Sequence, residues 1–230
     1  MRFIEADVYA FCDQDDIWFP NKLSLMHEKT CNYKPNELFM AYSDLQVTDE
    51  NLNVINESFL RANASDQDGI QFEDALLRGL CPGCVMLFSK GLRDIVIDIC
   101  NTNSIYMHDW WMFALATGCN SSVIYIKKPT MYYRQHSHNT LGYHKRSLRN
   151  VLYGISPMII REFIQEKKAW TKRPYMMARE LHSNCHLTKT ASDFCIQLIQ
   201  AHEKKKIDRI RFYITYYKGS PNIWLRLLFV

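Results

Sequence analysis

The stretch VYAFCDQDD at residues 8–16 joins an apolar run directly to three carboxylates. The apolar part, Val8–Cys12, predicts a buried strand. In α/β sheets ligands bind at the carboxyl ends of strands, and closely spaced anions there either hold a cation or repel one another. We therefore expect an α/β fold with a cation site at Asp13, Asp15 and Asp16, and oxygen ligands favour Mg²⁺ or Mn²⁺. An acidic turn that caps the following helix is the alternative.

Working outward from this stretch, short apolar runs alternate with helical patterns, which is typical of a sheet with helices packed on it. Further strands are predicted at Leu38–Tyr42, which ends near Asp44, at Val85–Phe88, and on both sides of Pro129 at Val123–Ile126 and Met131–Arg134. Helices are predicted after Pro20, over Phe72–Arg78 with Gly79 as the stop, and over His108–Thr117.

The composition of the 230 residues, 47% apolar and 23% charged, is that of a folded globular protein and excludes a disordered chain. No apolar run is long enough to span a bilayer, and the first residues, MRFIEADVY, lack the basic and apolar pattern of a secretory signal. We therefore expect a cytoplasmic protein.

The charge is distributed unevenly along the chain. Residues 1–144 carry 11 basic and 18 acidic side chains, a net charge of −7, whereas residues 145–230 carry 17 and 6, a net charge of +11. The predicted secondary structure also changes near residue 145, from alternating strands and helices to long, basic helical patterns. One further strand is expected at Phe212–Tyr217. We expect a catalytic region over 1–144 and a basic, mainly helical region over 145–230.

Eight scattered cysteines lack the dense spacing of a disulfide scaffold, so we expect most of them to be reduced and buried. Cys81-Pro82-Gly83-Cys84 has the CxxC spacing of a redox pair or of half a zinc site. This pair precedes a predicted strand instead of following one, and no second CxxC exists. Both facts disfavour redox chemistry and zinc.

Two further motifs carry chemistry. HDWW at residues 108–111 places Asp109 at the mouth of an apolar helix, where it could act as a general base beside two indoles; an N-cap above two core tryptophans is the alternative. YRQHSHN at residues 133–139 follows a strand, and there Arg134 could pair with phosphate while His136 could join a metal site.

In their order and spacing these motifs resemble family-two glycosyltransferases of the GT-A fold, in particular the bacterial rhamnosyltransferase-like branch. The similarity rests on FCDQDDIWFPNKL (11–23), YSDLQVTDENLNVINESF (42–59), GCVMLFSKGL (83–92), HDWW (108–111) and YRQHSHNTLG (133–142). It covers about residues 6–144, and the combination is more specific than any one motif.

The resemblance implies an inverting enzyme that depends on Mg²⁺ or Mn²⁺. It moves a sugar, with rhamnose favoured, from a nucleotide-diphosphate donor such as dTDP-rhamnose or a UDP-sugar to a polysaccharide or lipid-linked acceptor. The implied roles are Asp109 as catalytic base; Asp15, Asp16 and His136 at the metal; Asp13, Asp44, Arg134 and Gln135 at the donor; and Trp110 and Trp111 at the acceptor.

The chain departs from that family at its start: we expect it to lack the Rossmann-like strands that bind the nucleotide in a complete GT-A domain. We therefore expect a partial sheet with flanking helices and a helical C-terminal extension. Losing a neighbour would expose the Val8–Cys12 edge, which favours oligomerisation. A catalytically inactive, truncated remnant that acts as a binding protein is the second hypothesis.

The basic C-terminal region suggests peripheral contact with the anionic inner face of the cell membrane, where lipid-linked acceptors reside. Aromatic residues interleave its Lys and Arg side chains and suit an interfacial helix: Phe212, Tyr213, Tyr216, Tyr217 and Trp224. The same aromatics could instead form the core of this region. Nucleic-acid binding is not expected, since no reader motif contains these basic residues.

Overall fold

A computed structural model describes residues 4–62, 69–99, 105–136, 169, 172–183 and 186–216. The chain divides into two compact units. The first comprises residues 1–143 and 186–188, and the second comprises residues 144–185 and 189–230. The assignment of a catalytic role to one region and of a membrane role to the other stays a prediction.

The first unit is a mixed α/β domain with a curled central sheet and flanking helices, consistent with a partial Rossmann-like domain. Its strands are β1 (Val8–Ala10), β2 (Ile17–Trp18), β3 (Phe39–Thr48), β4 (Val54–Asn56), β5 (Met86–Ser89) and β6 (Ser122–Arg134). The order across the sheet is β1-β5-β3-β6-β2, with β4 paired to β3. Only the β3–β6 pair is parallel among these strands.

The helices of this unit are α1 (Lys22–Thr30), α2 (Phe59–Ala62), α3 (Phe72–Arg78), α4 (Lys90–Ile99) and α5 (His108–Gly118), with one 3₁₀ turn at Gly83–Val85. The predicted end of α3 is confirmed: Gly79 has φ 61°, a left-handed conformation that suits glycine, and its N–H bonds to the Ala75 carbonyl. Helix α5 is buried along most of its length, as its apolar sequence predicts.

Strand β3 forms the centre of the sheet and is longer than predicted. It runs on for six residues past Tyr42, because nearly every side chain of Phe39–Thr48 is buried and the parallel partner β6 continues beside it. The expectation that Asp44 follows the end of this strand is wrong. Asp44 lies in the middle of β3 and is buried.

Strand β6 is a single strand, where the sequence predicts two that flank Pro129. The register against β3 shifts at this proline: Ser43 pairs with Ile126, but Asp44 pairs with Pro129. Exposed Lys127 and Lys128 occupy the resulting bulge. Proline lacks the N–H that a regular ladder needs, so the strand passes Pro129 through an irregularity instead of ending there.

Strand β1 is an edge strand and is not buried. The burial expected from the apolar run Val8–Cys12 is wrong, whereas the exposed edge also expected for this strand is confirmed. Strand β1 pairs antiparallel with β5, and on its other side no strand of the described chain lies beside it. Val8 is 40% exposed. The strand also ends at Ala10, so Phe11 and Cys12 belong to the acidic turn that follows.

The second unit is helical where it is described. Residues 172–182 form helix α6, followed by α7 (Lys189–Glu203) and α8 (Lys206–Tyr216). Phe212 and Tyr213 lie inside α8 and are buried, so the strand expected at Phe212–Tyr217 is wrong over the described part and these two rings belong to a core. Tyr217 and Trp224 lie outside the described residues. Within the described ranges, no helix has the length and apolar character needed to cross a bilayer.

Candidate functional site

The acidic turn between β1 and β2 is held against the far end of β6. The backbone N–H of Arg134 donates to Asp16 Oδ1 at 3.3 Å, and Arg134 Nε donates to the Asp15 carbonyl oxygen at 3.0 Å. The short β2 strand explains this placement, because Ile17 pairs with Tyr132 and so brings the preceding carboxylates beside Arg134. Two motifs that are more than 110 residues apart in sequence thus meet at one edge of the sheet.

Asp16 and Asp15 are half-buried members of the acidic turn, whereas Asp13 is exposed. Burial, and then the charges of Asp13 and Asp15, raise the pKa of the Asp16 carboxyl to about 6, while the hydrogen bond from the Arg134 N–H acts in the opposite direction. Its Oδ2 is buried and accepts no N–H or O–H bond from the described residues, and the Cys84 thiol is the side chain that bonds to this carboxyl. Such an oxygen is available to a cation.

One group of possible metal ligands forms around Asp16. Ligand atoms of Asp13, Asp16 and Cys84 lie within 4.8 Å of one another. The two carboxylates suit Mg²⁺ or Mn²⁺, and the Cys84 thiol, whose raised pKa keeps it neutral, is a weaker and softer donor beside them. The Asp16 Oδ2, which accepts no N–H or O–H bond from the described residues, agrees with this fit.

The predicted metal set was Asp15, Asp16 and His136, and the structure arranges these residues differently. His136 Nε2 lies 2.8 Å from Asp15 Oδ2, so these two side chains bond to each other instead of converging with Asp16. Asp13, expected at the donor, takes their place in the ligand group. The physical reason is strand pairing, since β2 pairs with β6 and so brings Asp15 beside the end of β6, where His136 lies.

The residues after β6 remain close to the acidic turn. Arg134 and His136 both contact it, and the Gln135 N–H donates to the Thr48 carbonyl at 2.9 Å, which extends the β3–β6 ladder by one bond. Burial raises the pKa of the Tyr133 hydroxyl above its ordinary value, so this hydroxyl stays protonated. A guanidinium and an imidazole therefore lie on the same edge as three carboxylates. His138 and Asn139 lie outside the described residues.

Lys22 is a buried cation behind the acidic turn, and its side chain is 1% exposed. Its Nζ donates to the Cys84 carbonyl oxygen at 2.5 Å and to Met131 Sδ at 3.3 Å, and it lies 4.2 Å from the centre of the Trp18 ring. Burial lowers the pKa of this ammonium to about 8, while nearby Cys84 and Asp16 act in the opposite direction.

Asp109 lies at the start of α5, as predicted, and is 9% exposed. Its Oδ1 accepts the Trp110 N–H at 2.7 Å, and its Oδ2 accepts the Gly83 N–H at 3.3 Å. Burial raises the pKa of the Asp109 carboxyl, while its hydrogen bonds and the neighbouring His108 oppose the change. A carboxyl with a raised pKa holds a proton more readily near neutral pH, which suits a general base.

The HDWW and DQDD segments touch each other through rings. The Phe11 and His108 ring centres are 4.5 Å apart in an edge-to-face arrangement. Gly83 also packs here, because a Cβ built on it would lie 2.6 Å from His108 Nε2. The candidate base and the acidic turn therefore belong to one packed region of the first unit.

The two tryptophans are core residues, which does not agree with the acceptor wall expected for them. Trp110 and Trp111 are each 2% exposed. The Trp110 indole N–H donates to the carbonyls of Ala75 and Leu76 at 2.9 and 3.0 Å, which ties α5 to α3. Because apolar burial fixes both rings on the inner face of α5, neither face is open to a sugar in this structure.

Asp44 is also placed differently from the expected donor contact. Its Oδ1 accepts the N–H groups of Leu45 and Leu60 at 2.8 and 3.2 Å, and its Oδ2 accepts the Ser58 hydroxyl. These bonds anchor the start of α2 to the middle of β3. A carboxylate used in this way is a structural group of the sheet.

The CxxC pair contains two free, buried thiols. Burial raises the pKa of Cys81 and of Cys84 well above the ordinary value, and neighbouring carboxylates add to the shift. Reactive redox cysteines have lowered pKa values, so this environment disfavours redox chemistry. Cys84 instead belongs to the ligand group around Asp16.

Sequence reasoning missed the roles of Lys22 and Cys84. A signal for Lys22 exists, because residues 22, 26 and 30 are spaced four apart and Met26 and Thr30 are both buried with it. This spacing puts a lysine on the inner stripe of α1. For Cys84 the CxxC spacing is a signal for a metal ligand, but its position beside Asp13 depends on the pairing of distant strands, which the spacing does not predict.

No family model matches the chain. Over 146 residues, however, it is 28% identical to the protein named "dTDP-rhamnosyl transferase RfbG" of Shigella flexneri. The match covers 59% of this chain and 45% of that protein, so the chain spans less than half of the length of this curated relative. The comparison therefore supports a glycosyltransferase in general.

Proposed function

We propose that the protein is a family-two glycosyltransferase of the GT-A fold. It transfers a sugar, with rhamnose as the first candidate, from a nucleotide-diphosphate donor to a polysaccharide or lipid-linked glycan. The observation that carries the proposal is the 146-residue similarity to a dTDP-rhamnosyl transferase. The meeting of the DQDD turn with Arg134 and His136 supports it, because a donor diphosphate needs both a cation site and positive side chains.

On the donor side, Arg134, Gln135 and His136 would line the diphosphate of dTDP-rhamnose or of a UDP-sugar. A guanidinium suits phosphate oxygens because it offers several N–H donors in one plane. The Asp15 carboxylate would orient the His136 ring through the bond at 2.8 Å. The second ring nitrogen of this imidazole would offer a further hydrogen bond to the diphosphate beside Arg134.

Asp13, Asp16 and Cys84 would hold a divalent cation, Mn²⁺ or Mg²⁺. When bound, this ion offsets the negative charge that develops on the departing nucleoside diphosphate. Asp16 must be ionised to bind it, and the pKa of about 6 leaves most of this carboxyl ionised at pH 7.5.

Asp109 would accept the proton of the acceptor hydroxyl as that oxygen attacks the anomeric carbon from the face opposite to the diphosphate. This in-line geometry inverts the configuration at the sugar. Its bond to the Gly83 N–H is long, at 3.3 Å, and catalytic bonds are often loose before substrate binds. His108, packed on Phe11, would keep the start of α5 against the acidic turn.

The proposal is tested by turnover of dTDP-rhamnose, and of a UDP-sugar for comparison, with a lipid-linked glycan acceptor. We expect Asp109→Asn to lower kcat by about 100-fold or more, with a smaller change in the donor KM, because the base acts in the transition state. Asp74→Asn on α3, whose carboxylate pairs with Arg78 at 3.1 Å, is the matched control and should leave kcat unchanged. Wild-type protein with no turnover of any donor would overturn the proposal, and full activity of Asp109→Asn would overturn the choice of base.

A second candidate is a non-catalytic protein that binds a glycan or a partner. The burial of Asp109 favours it, because a carboxylate that is 9% exposed has little access to an acceptor hydroxyl. Donor or acceptor binding measured by calorimetry, with no product formed over many hours, would distinguish this candidate from an enzyme.

Two partner assignments belong to the same proposal. We propose peripheral contact between the basic region and anionic lipid, tested by co-sedimentation with phosphatidylglycerol vesicles and, as control, with neutral vesicles.

We also propose self-association through the β1 edge, which sedimentation velocity over a range of concentrations would test.

A further inference from the structure

Lys22 combines two properties that rarely occur together, complete burial and a charged head group. It belongs to the inner stripe of α1 with Met26 and Thr30. Burying an ammonium costs several kcal/mol unless polar partners compensate for the lost water. The partners here are a carbonyl oxygen, a thioether sulfur and an indole ring, and none of the three is an anion.

These partners belong to separate elements of the first unit. Trp18 ends β2, Met131 lies in β6, and Cys84 lies in the Gly83–Val85 turn. The Cys84 carbonyl is 62 residues from Lys22 in sequence, and Met131 is 109 residues away. One side chain therefore joins α1, two strands and the turn.

The Gly83–Val85 turn faces both halves of the candidate site. Cys84 Sγ lies among the ligand atoms of Asp13 and Asp16. The neighbouring Gly83 N–H donates to Asp109 Oδ2 at 3.3 Å. The position of this turn therefore determines both where the Cys84 thiol lies and whether the Gly83 N–H reaches Asp109.

Replacing a buried charge with an apolar side chain of similar size is often neutral for stability or increases it. A lysine that served the fold alone would therefore gain little over methionine, which fits the same stripe. Methionine has neither a charge nor an N–H donor, so it loses the bonds to the Cys84 carbonyl and to Met131 Sδ, and the first of these fixes the turn.

We propose that Lys22 is a positioning residue: it fixes the Gly83–Val85 turn so that Cys84 faces the acidic cluster and Gly83 holds Asp109. This inference deepens the proposed function and rests on it for its catalytic meaning. The linkage itself, from Lys22 through the turn to Asp109, is a physical claim that can be measured without turnover.

The test compares wild type with Lys22→Met and Lys22→Arg, and with Lys29→Met as the matched control, since Lys29 is an exposed lysine on the same helix. Circular dichroism first establishes that each variant is folded. The rate of Cys84 labelling by a thiol reagent is then measured by mass spectrometry, with exposed Cys12 as the internal reference. NMR of ¹³C-labelled aspartate follows the titration of Asp109, whose titratable neighbours are His108 and Cys81.

In Lys22→Met we expect Cys84 to be labelled about tenfold faster or more, because the released turn opens more often. The pKa of Asp109 should rise further, since the Gly83 N–H bond that stabilises its ionised form is weakened. The apparent pKa of the acid limb in the pH profile of kcat/KM should rise with it. We also expect kcat to fall about tenfold while the donor KM changes less. Lys22→Arg, which keeps charge and donors, should restore most of each property.

Unchanged Cys84 labelling and an unchanged Asp109 titration in folded Lys22→Met would overturn the inference whether or not the protein is active. If both properties change while wild type turns over no donor, the proposed function fails and the linkage stands. If Lys22→Met does not fold, Lys22→Gln, which is polar but too short to reach the Cys84 carbonyl, is measured in the same way.

Discussion

At the scale of single residues, Asp16 shows a conflict between stability and ligand binding. Burial and two neighbouring carboxylates raise its pKa to about 6 from an ordinary value of 3.8. The folded state therefore binds this proton more tightly than the unfolded state does. Stability is lost as the pH rises from about 4 through 6, and the full cost is present at neutral pH.

We predict that Asp16→Asn is more stable than wild type at pH 7.5 and weaker in Mn²⁺ binding. A shift of about two pKa units corresponds to about 3 kcal/mol, which solvent screening of this partly exposed group reduces to about 1 kcal/mol. Urea unfolding at pH 7.5 should show this gain, and the gain should vanish near pH 4. Calorimetry should show an Mn²⁺ affinity at least about tenfold lower, because a carboxylate ligand is removed.

Asp13→Asn is the matched control for this variant. Asp13 is exposed and belongs to the same ligand group, so the change should weaken Mn²⁺ binding with little gain in stability. A loss of stability in Asp16→Asn at pH 7.5 would contradict the prediction, since it would mean that favourable contacts outweigh the burial of the charge.

Residue by residue, the sequence predicts which side chains carry charge near the site but not which atoms converge. Asp13, Asp15 and Asp16 are predicted together from their spacing, and the structure brings all three to one sheet edge. The sorting of Asp15 toward His136 and of Asp13 toward Cys84 depends on turn geometry and on β5 and β6 pairing, which no local pattern contains.

At the scale of elements, helices follow their sequence more closely than strands do. The pattern of Phe72–Arg78 with Gly79 predicts α3 residue for residue, because helix periodicity and a glycine stop are local signals. The apolar run Val8–Cys12 predicts a buried strand, but β1 is an exposed edge, because an apolar run alone does not show whether a neighbouring strand covers it. Only the family resemblance indicates the exposed edge. Strand β6 was predicted as two pieces, because Pro129 is a local break signal that the parallel partner overrides.

Asp44 joins two of these elements, so we predict a structural effect for its replacement. Asp44→Ala leaves the N–H groups of Leu45 and Leu60 and the Ser58 hydroxyl without their shared acceptor. Unsatisfied buried donors cost about 1–3 kcal/mol each, so we expect a loss of roughly 2–4 kcal/mol in the free energy of unfolding, measured with urea. Asp49→Ala, in the exposed loop after β3, is the control.

The donor KM of any folded Asp44→Ala protein should match that of wild type. An increase in donor KM with unchanged stability would restore the donor-binding role that the family resemblance implies for Asp44. The two readouts therefore separate a structural carboxylate from a binding one.

At the scale of the whole molecule, the charge division coincides with a difference in architecture. The acidic first unit contains the sheet and the candidate site, whereas the described part of the second unit consists of helices with aromatic packing. The second unit also has a titratable group in its core. His202 on α7 stacks on Tyr175 at 4.9 Å and bonds to the Tyr213 hydroxyl at 3.0 Å.

We predict that acid destabilises the second unit through His202. Burial, and secondly the charge of Arg209, lower the pKa of this imidazole to about 4 from 6.5. The unfolded state thus binds the proton more tightly, and the stabilising contribution present above pH 6.5 is lost as the pH falls toward 4. Hydrogen exchange of peptides from α7 and α8, measured between pH 4.5 and 7.5 after correction for intrinsic rates, should show this loss.

His202→Gln should abolish that dependence on pH, while His182→Gln, at an exposed position, should keep it. If the slope persists in His202→Gln, another group causes the acid sensitivity of these helices. Peptides from β3 and β6 in the first unit provide an internal reference.

The bulge at Lys127 and Lys128 has a consequence for how this chain tolerates change in length. Adding or removing one residue in a regular strand turns every later side chain to the opposite face, so Arg134 would leave the acidic turn. The bulge already absorbs extra residues between Ile126 and Pro129, and its two lysines are exposed. We expect evolutionary insertions and deletions in this strand to be confined to that point. Related proteins whose strands differ in length would then still have an arginine beside the acidic turn.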